Sequence, residues 1–109
     1  STVTGGEVYT LEEVRAEAET IKKEAAADLE DAQADSQRAC EDNTRIEMFA
    51  ASLRTSQYGD YAIQHVESMS ESSASRKQAA DQRAAAAEAR LAQVEAFLNA
   101  LETPEGLRA

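Results

Sequence analysis

Residues 80–101 read ADQRAAAAEARLAQVEAFLNAL. In them Ala80, Ala84, Ala87, Leu91, Val94, Leu98 and Leu101 recur at alternating steps of four and three. That period belongs to one face of a helix that meets a neighbour along a seam. The positions between them are mostly alanine, glutamate, glutamine and arginine, which are strong helix formers. Thr103-Pro104-Glu105-Gly106 then ends the helix, because proline cannot continue it and glycine follows.

Towards the N-terminus the same face continues through Ala62, Val66, Met69 and Ser73. Ser68, Ser70, Ser72, Ser73 and Ser75 make this the weakest helical stretch. No glycine or proline interrupts it, so one helix running through as a polar surface is expected over a break into two pieces. The preceding Ser56-Gln57-Tyr58-Gly59-Asp60 is a short link. Gly59 is expected to end a helix in the left-handed conformation and Asp60 to cap the next one. A link this short makes its two helices antiparallel neighbours.

The first helix has a marked start. Thr10 and Glu13 have capping-box spacing, Tyr9 and Val14 have that of a hydrophobic staple, and Glu12 and Glu13 favour the helix dipole. The least polar face then runs Leu11, Val14, Ala18, Ile21, Ala25, Leu29, Ala32, Ser36, Ala39, Asn43, Ile46, Ala50, Leu53. Two consecutive steps of four around Ala25 resemble a stutter. The expected fold is all-α: a long antiparallel helical hairpin, about 10–57 and 60–102, with an N-terminal arm at 1–9 and a C-terminal tail at 103–109. Each arm is ~65 Å long at ~1.5 Å per residue.

Alanine supplies 23 of the 109 residues, whereas Val, Ile, Leu and Phe together supply 17. An alanine seam buries little apolar area. A lone hairpin of this kind is marginal, so assembly into a helical bundle is expected. A homo-oligomer, with a dimer favoured, is the simplest solution, and Leu91, Val94 and Leu98 offer surface for it.

The net charge is −10, from 21 acids and 11 bases. Direct nucleic-acid binding through phosphate neutralisation is therefore not expected. No run of ~18 apolar residues spans a membrane, and no secretory leader is recognised. The single cysteine, Cys40, is expected to be a buried, inert thiol and excludes a disulfide framework or a Cys-based zinc site. The di-iron Glu-x-x-His pattern of helix bundles fails at the one histidine, because position 62, three before His65, is alanine. His65 reads as a surface or seam-edge residue near the hairpin turn. No phosphate loop, nucleophile elbow or His-Glu zinc motif is present, so no enzyme, metal or cofactor is expected.

Two groups remain as candidate sites. Met48, Phe49, Tyr58 and Tyr61 gather near the turn, where they either plug the hairpin end or present an aromatic tip to a protein partner. Asp28, Glu30, Asp31 and Asp35 concentrate acid on the first helix, as a nucleic-acid mimic would to occupy a basic cleft. Elsewhere acids and bases interleave at helix-compatible spacing, as in Glu19 with Lys23 and Glu41 with Arg45.

The opening Val3-Thr4-Gly5-Gly6-Glu7-Val8-Tyr9-Thr10-Leu11, followed by two alanine-rich helices about a glycine-containing turn, resembles small helical proteins of actinobacterial plasmids, conjugative elements and phages. In length and layout the hairpin is also similar to the secreted WXG100 (ESAT-6-like) family. It departs from that family at the turn, Tyr58-Gly59-Asp60, which has no tryptophan, and residues 97–109 lack the tyrosine of the family's export signal. Tyr9 and Glu13 have that signal's spacing at the opposite end. The resemblance implies a bacterial accessory or secreted helical protein and assigns no site. The expected function is a self-associating structural or adaptor protein of a mobile element in the bacterial cytoplasm, with signal-peptide-independent secretion or virion association left open. An acidic nucleic-acid mimic is the alternative, followed by a WXG100-like export substrate.

Overall fold

The computed structural model describes residues 9–57 and 59–106. Helix α1 spans Leu11–Arg54, helix α2 spans Asp60–Leu101, and a single 3-10 turn covers Pro104–Gly106. The two helices pack antiparallel as a hairpin, a rod with extents of 77 × 26 × 15 Å. No helix among the described residues is long and apolar enough to cross a membrane.

Helix α1 starts at the expected capping box. The Glu13 backbone N–H donates to Thr10 Oγ1 at 3.1 Å, and the Thr10 N–H donates to Glu13 Oε1 at 3.2 Å. Its end differs from expectation. The helix stops at Arg54, and Thr55 and Ser56 each donate a hydroxyl to the Ser52 carbonyl, at 3.0 and 2.8 Å. These side chains serve an otherwise orphaned carbonyl, so this end needs no left-handed residue. Gly59 is extended, with φ −81° and ψ 170°, and stands at the N-cap of α2 without a side-chain cap bond. Asp60 is the first helical residue rather than the cap, and its charge lies at the positive end of the helix dipole. Gly106, in contrast, does require glycine: a Cβ there would fall 1.6 Å from the Ala100 carbonyl oxygen.

The seam is written in sevens. Ala18, Ala25, Ala32 and Ala39 are buried on α1, followed by Ala50 and Leu53; Val66, Ser73, Ala80, Ala87, Val94 and Leu101 are buried on α2. A sustained seven-residue repeat keeps two helices in contact through a left-handed supercoil. The expected stutter around Ala25 does not interrupt the seam: the seven-residue step holds from Ala18 to Ala39, and the half-buried pair Ile21 and Lys22 recurs at Asp35 and Ser36 and at Asp42 and Asn43.

Helix α2 runs unbroken through the serine stretch. Ser73 is buried, and its hydroxyl lies 2.8 Å from Asn43 Oδ1 and 3.0 Å from the Ser70 carbonyl, while Ser70 donates to the same Asn43 oxygen at 3.2 Å. An amide oxygen has two lone pairs and can accept both hydroxyls. This cluster corrects the expected stripe: Ser70 takes the seam position, and Met69 is 51% exposed. Leu11 also lies outside the seam, beyond its end, and is exposed. Cys40 is exposed rather than buried, because Ala39 occupies the seam and the next residue turns ~100° away from it.

Candidate interaction surface

The turn end of the hairpin is closed by aliphatic residues. Ala50, Leu53 and Val66 form its core, with Ile46 and Ile63 packed against them. The aromatic candidates are outside this plug: Met48, Phe49 and Tyr61 are all exposed, while Tyr58 lies outside the described residues. Helical register separates the three. Met48 and Tyr61 sit on the outer sides of their respective helices, and Phe49, ~100° from Met48, sits on a flank between α1 and α2. The Tyr61 ring instead meets His65 edge-on, with centroids 4.6 Å apart and planes at 84°.

The acidic candidates are also divided. Asp28, Asp31 and Asp35 share one side of α1, and Glu30 lies ~160° from Asp28 on the other side. Asp35 is engaged by arginine from both helices: Arg83 of α2 donates to Oδ2 at 2.8 Å, and Arg38 closes a short contact with Oδ1. The Arg83 guanidinium, followed by that of Arg38, holds the Asp35 carboxyl below the usual carboxylate range. Asp35 raises the pKa of Arg83 in turn, with smaller contributions from Asp31 and Asp28. Asp81 is lowered by Lys77 first and by the Ser36 hydroxyl second. Of the spaced pairs expected within helices, Glu41 accepts from Gln37 instead of pairing with Arg45. No Glu19–Lys23 bridge forms among the described residues.

Asp35 belongs to a larger arrangement. Asp28, Asp35 and Asp42 recur every seven residues on α1, and Arg76, Arg83 and Arg90 do so on α2. The antiparallel rows match level by level. Asp35 pairs with Arg83 at 2.8 Å and Asp42 with Arg76 at 3.2 Å. At the third level Asp28 and Arg90 line one open hollow together with Arg83, and Arg90 reaches Glu24 at 3.8 Å. The same rows turn apolar at both ends. Ile21 precedes Asp28 by seven and Phe97 follows Arg90 by seven; Phe49 follows Asp42 by seven and Met69 precedes Arg76 by seven. Phe49, Met69 and Phe97 are 53%, 51% and 46% exposed. Ile21 and Phe97 line an open cleft of about 610 Å³ with Tyr9, Val14, Ala18 and Val94.

One flank of the hairpin is therefore a charge-balanced ladder between two apolar ends. The opposite flank of α2 carries Glu67, Asp81, Glu88, Glu95 and Glu102 at multiples of seven and is acidic. Asp28 and Asp35 face a row of arginines that a count of the acids on α1 alone omits. The missed signal, the two seven-residue rows, is present in the sequence.

Among the described residues, no group of three His, Cys, Asp or Glu side chains could hold a metal ion. Comparison of the chain with protein-family models, curated proteins and solved structures finds no match.

Proposed function

We propose that this chain is a non-enzymatic interaction protein, a helical hairpin that self-associates and acts as an accessory or adaptor factor. The observation that carries this reading is the half-exposure of Phe49, Met69 and Phe97 on a hairpin whose own seam is largely alanine. Large apolar side chains left exposed at both ends of one polar flank are candidate interface anchors, and aromatic residues dominate interface energetics. The resemblance to helical proteins of plasmids, conjugative elements and phages supports an accessory role on a bacterial mobile element. Light scattering tests self-association: a dimer or larger species is expected, and a compact, cooperatively melting monomer at micromolar concentration would refute it.

The second reading, an acidic mimic of nucleic acid, draws on the net charge of −10 and on the acidic row of α2. A partner captured from the native host separates the two. Contact through the exposed Tyr61, Phe49 and Met48 tolerates salt and weakens on Tyr61→Ala. Mimicry loses affinity steeply as salt screens the carboxylates and weakens when the acidic row of α2 is neutralised in Glu88→Gln/Glu95→Gln.

A further inference from the structure

We infer that the Asp/Arg flank is the docking face for a second copy of this chain, and that the copies align with both hairpin turns at the same end. This rests on the self-association proposed above and names its surface and geometry.

The face has the dimensions a stable interface needs. The apolar ends, Ile21 with Phe97 and Phe49 with Met69, are separated by four steps of seven on each helix. That length is about 42 Å at ~1.5 Å per residue, and two helices side by side are about 20 Å wide. The resulting strip of roughly 800 Å² per copy matches the contribution of each partner to a standard-size interface. It is also hollowed between the arginines. Ala86 and Ala87 floor one opening and Ala79 and Ala80 another, so a facing side chain can enter.

Charge complementarity selects the occupant and its direction. Two copies of one face related by a twofold axis stack in one of two ways with helices aligned. If the axis runs across the hairpin, α1 lies on α1 of the other copy in reverse. Asp35 then meets Asp35, and Asp28 meets Asp42, a like-charge arrangement that disfavours docking. If the axis runs along the hairpin, α1 lies on α2 of the other copy at the same level. Every Asp of the ladder then faces an Arg: 28 faces 90, 35 faces 83, and 42 faces 76. A guanidinium has five donors and can serve a carboxylate on each side.

The apolar levels agree with this stacking. Ile21 and Phe97 of one copy meet Phe97 and Ile21 of the other, which covers the 610 Å³ cleft, and Phe49 meets Met69 at the far end. All neighbouring helices become antiparallel, as in a four-helix bundle. The opposite flank is less suited, because its acidic row on α2 has no matching basic row on α1: Glu19, Ala26, Gln33, Cys40 and Glu47 stand there, and Arg15 and Arg54 at the two ends are already paired with Glu102 and Glu67.

Two measurements test the face and the alignment separately. Phe97→Asp and Phe49→Asp change half-exposed side chains outside the seam. Sedimentation equilibrium of each variant is expected to show a dimer dissociation constant raised roughly thirtyfold or more, the loss typical of a central aromatic anchor. Helical circular dichroism is expected to persist. In a Cys40→Ser background, a spin label at Gln57→Cys near the turn reads the alignment. Turns together give a label separation under about 30 Å. The crossed alignment sets the labels about 66 Å apart, 22 residues from the row centre in each copy at ~1.5 Å per residue. A wild-type monomer overturns the self-association reading and this inference with it. A dimer indifferent to both substitutions overturns the face while self-association stands, and the long separation overturns the alignment.

Discussion

Near the turn, the seam is built from branched apolar side chains, Leu53 and Val66 beside Ala50, with Ile46 and Ile63 against them. In the middle of the rod its fully buried positions are small: Ala32 at 0% exposure and Ala39 at 1% on α1, with Ala80, Ala87 and Ser73 on α2. Both regions keep the same helix pair together by different means. The turn end removes apolar area from water. The middle brings the helices together through small side chains and sets their alignment with polar contacts: the Asn43–Ser70–Ser73 cluster inside and the Asp/Arg ladder at the flank. A single polar seam residue can define register at a cost in stability. Burial and alignment are thus separated along one molecule, and substitutions in the two regions should fail differently.

The largest effect is expected at the turn end. Leu53→Ala removes a buried branched side chain and leaves a cavity, at a cost of about 2–4 kcal/mol. Urea unfolding followed by circular dichroism measures it, and a loss below about 1 kcal/mol would erase the contrast with the middle. There, enlargement rather than truncation is harmful. Ala32→Leu inserts three carbons into a closed contact and is expected to cost about 1–3 kcal/mol by forcing the helices apart. A more stable variant would mean that the middle is underpacked, contrary to the close fit of its alanines.

Asn43→Ala is expected to cost about 1 kcal/mol, since a neutral hydrogen bond contributes about that much net. Its partner Ser73 is buried, so Asn43→Ala/Ser73→Ala should cost less than the two single changes added together. Strict additivity in this cycle would remove the cluster as a unit.

The smallest effect concerns Asp35, which is exposed to solvent screening. Its folded pKa lies below the ordinary value of 3.8 because of Arg83 and Arg38. A carboxyl with a lowered folded pKa contributes stability above its unfolded pKa, and that contribution is lost as pH falls through the folded value. Wild type should therefore melt above Asp35→Asn at pH 7, and the gap should close below the unfolded pKa, at about pH 4 and under. Measuring the difference between two proteins cancels the change in overall charge repulsion. A gap that persists at pH 2 would assign the Asp35 contribution to packing instead of charge.

Much of this architecture is legible along the chain. Thr10 and Glu13 announce the start of α1, the alanines of 80–101 give the seam its period, and Thr103 to Gly106 mark the end of α2. These features depend on neighbours within one helical turn, or on repetition of a single helix face. The helix boundary at Arg54 was less legible, because Thr55 and Ser56 close it with hydroxyls and Gly59 is left extended. Of the candidate sites, the sequence showed which residue types gather and not how they face. Met48, Phe49 and Tyr61 are close in the chain or across the turn, yet helical register turns them in separate directions.

The amino-acid sequence by itself determined two long helices, their antiparallel order and a seam rich in alanine and poor in large apolar side chains. Only the tertiary structure decided that Ser70 enters the seam in place of Met69, that Cys40 is exposed, and that Asp28, Asp35 and Asp42 face arginines. The physical reason is that helix formation is settled by local bonds and period, whereas each flank is composed of two helices at once. A side chain one position off the stripe is exposed or covered, paired or free, according to where the other helix lies, and the alignment of the two is set by contacts between residues 13 to 87 positions apart, from Arg54–Glu67 to Arg15–Glu102.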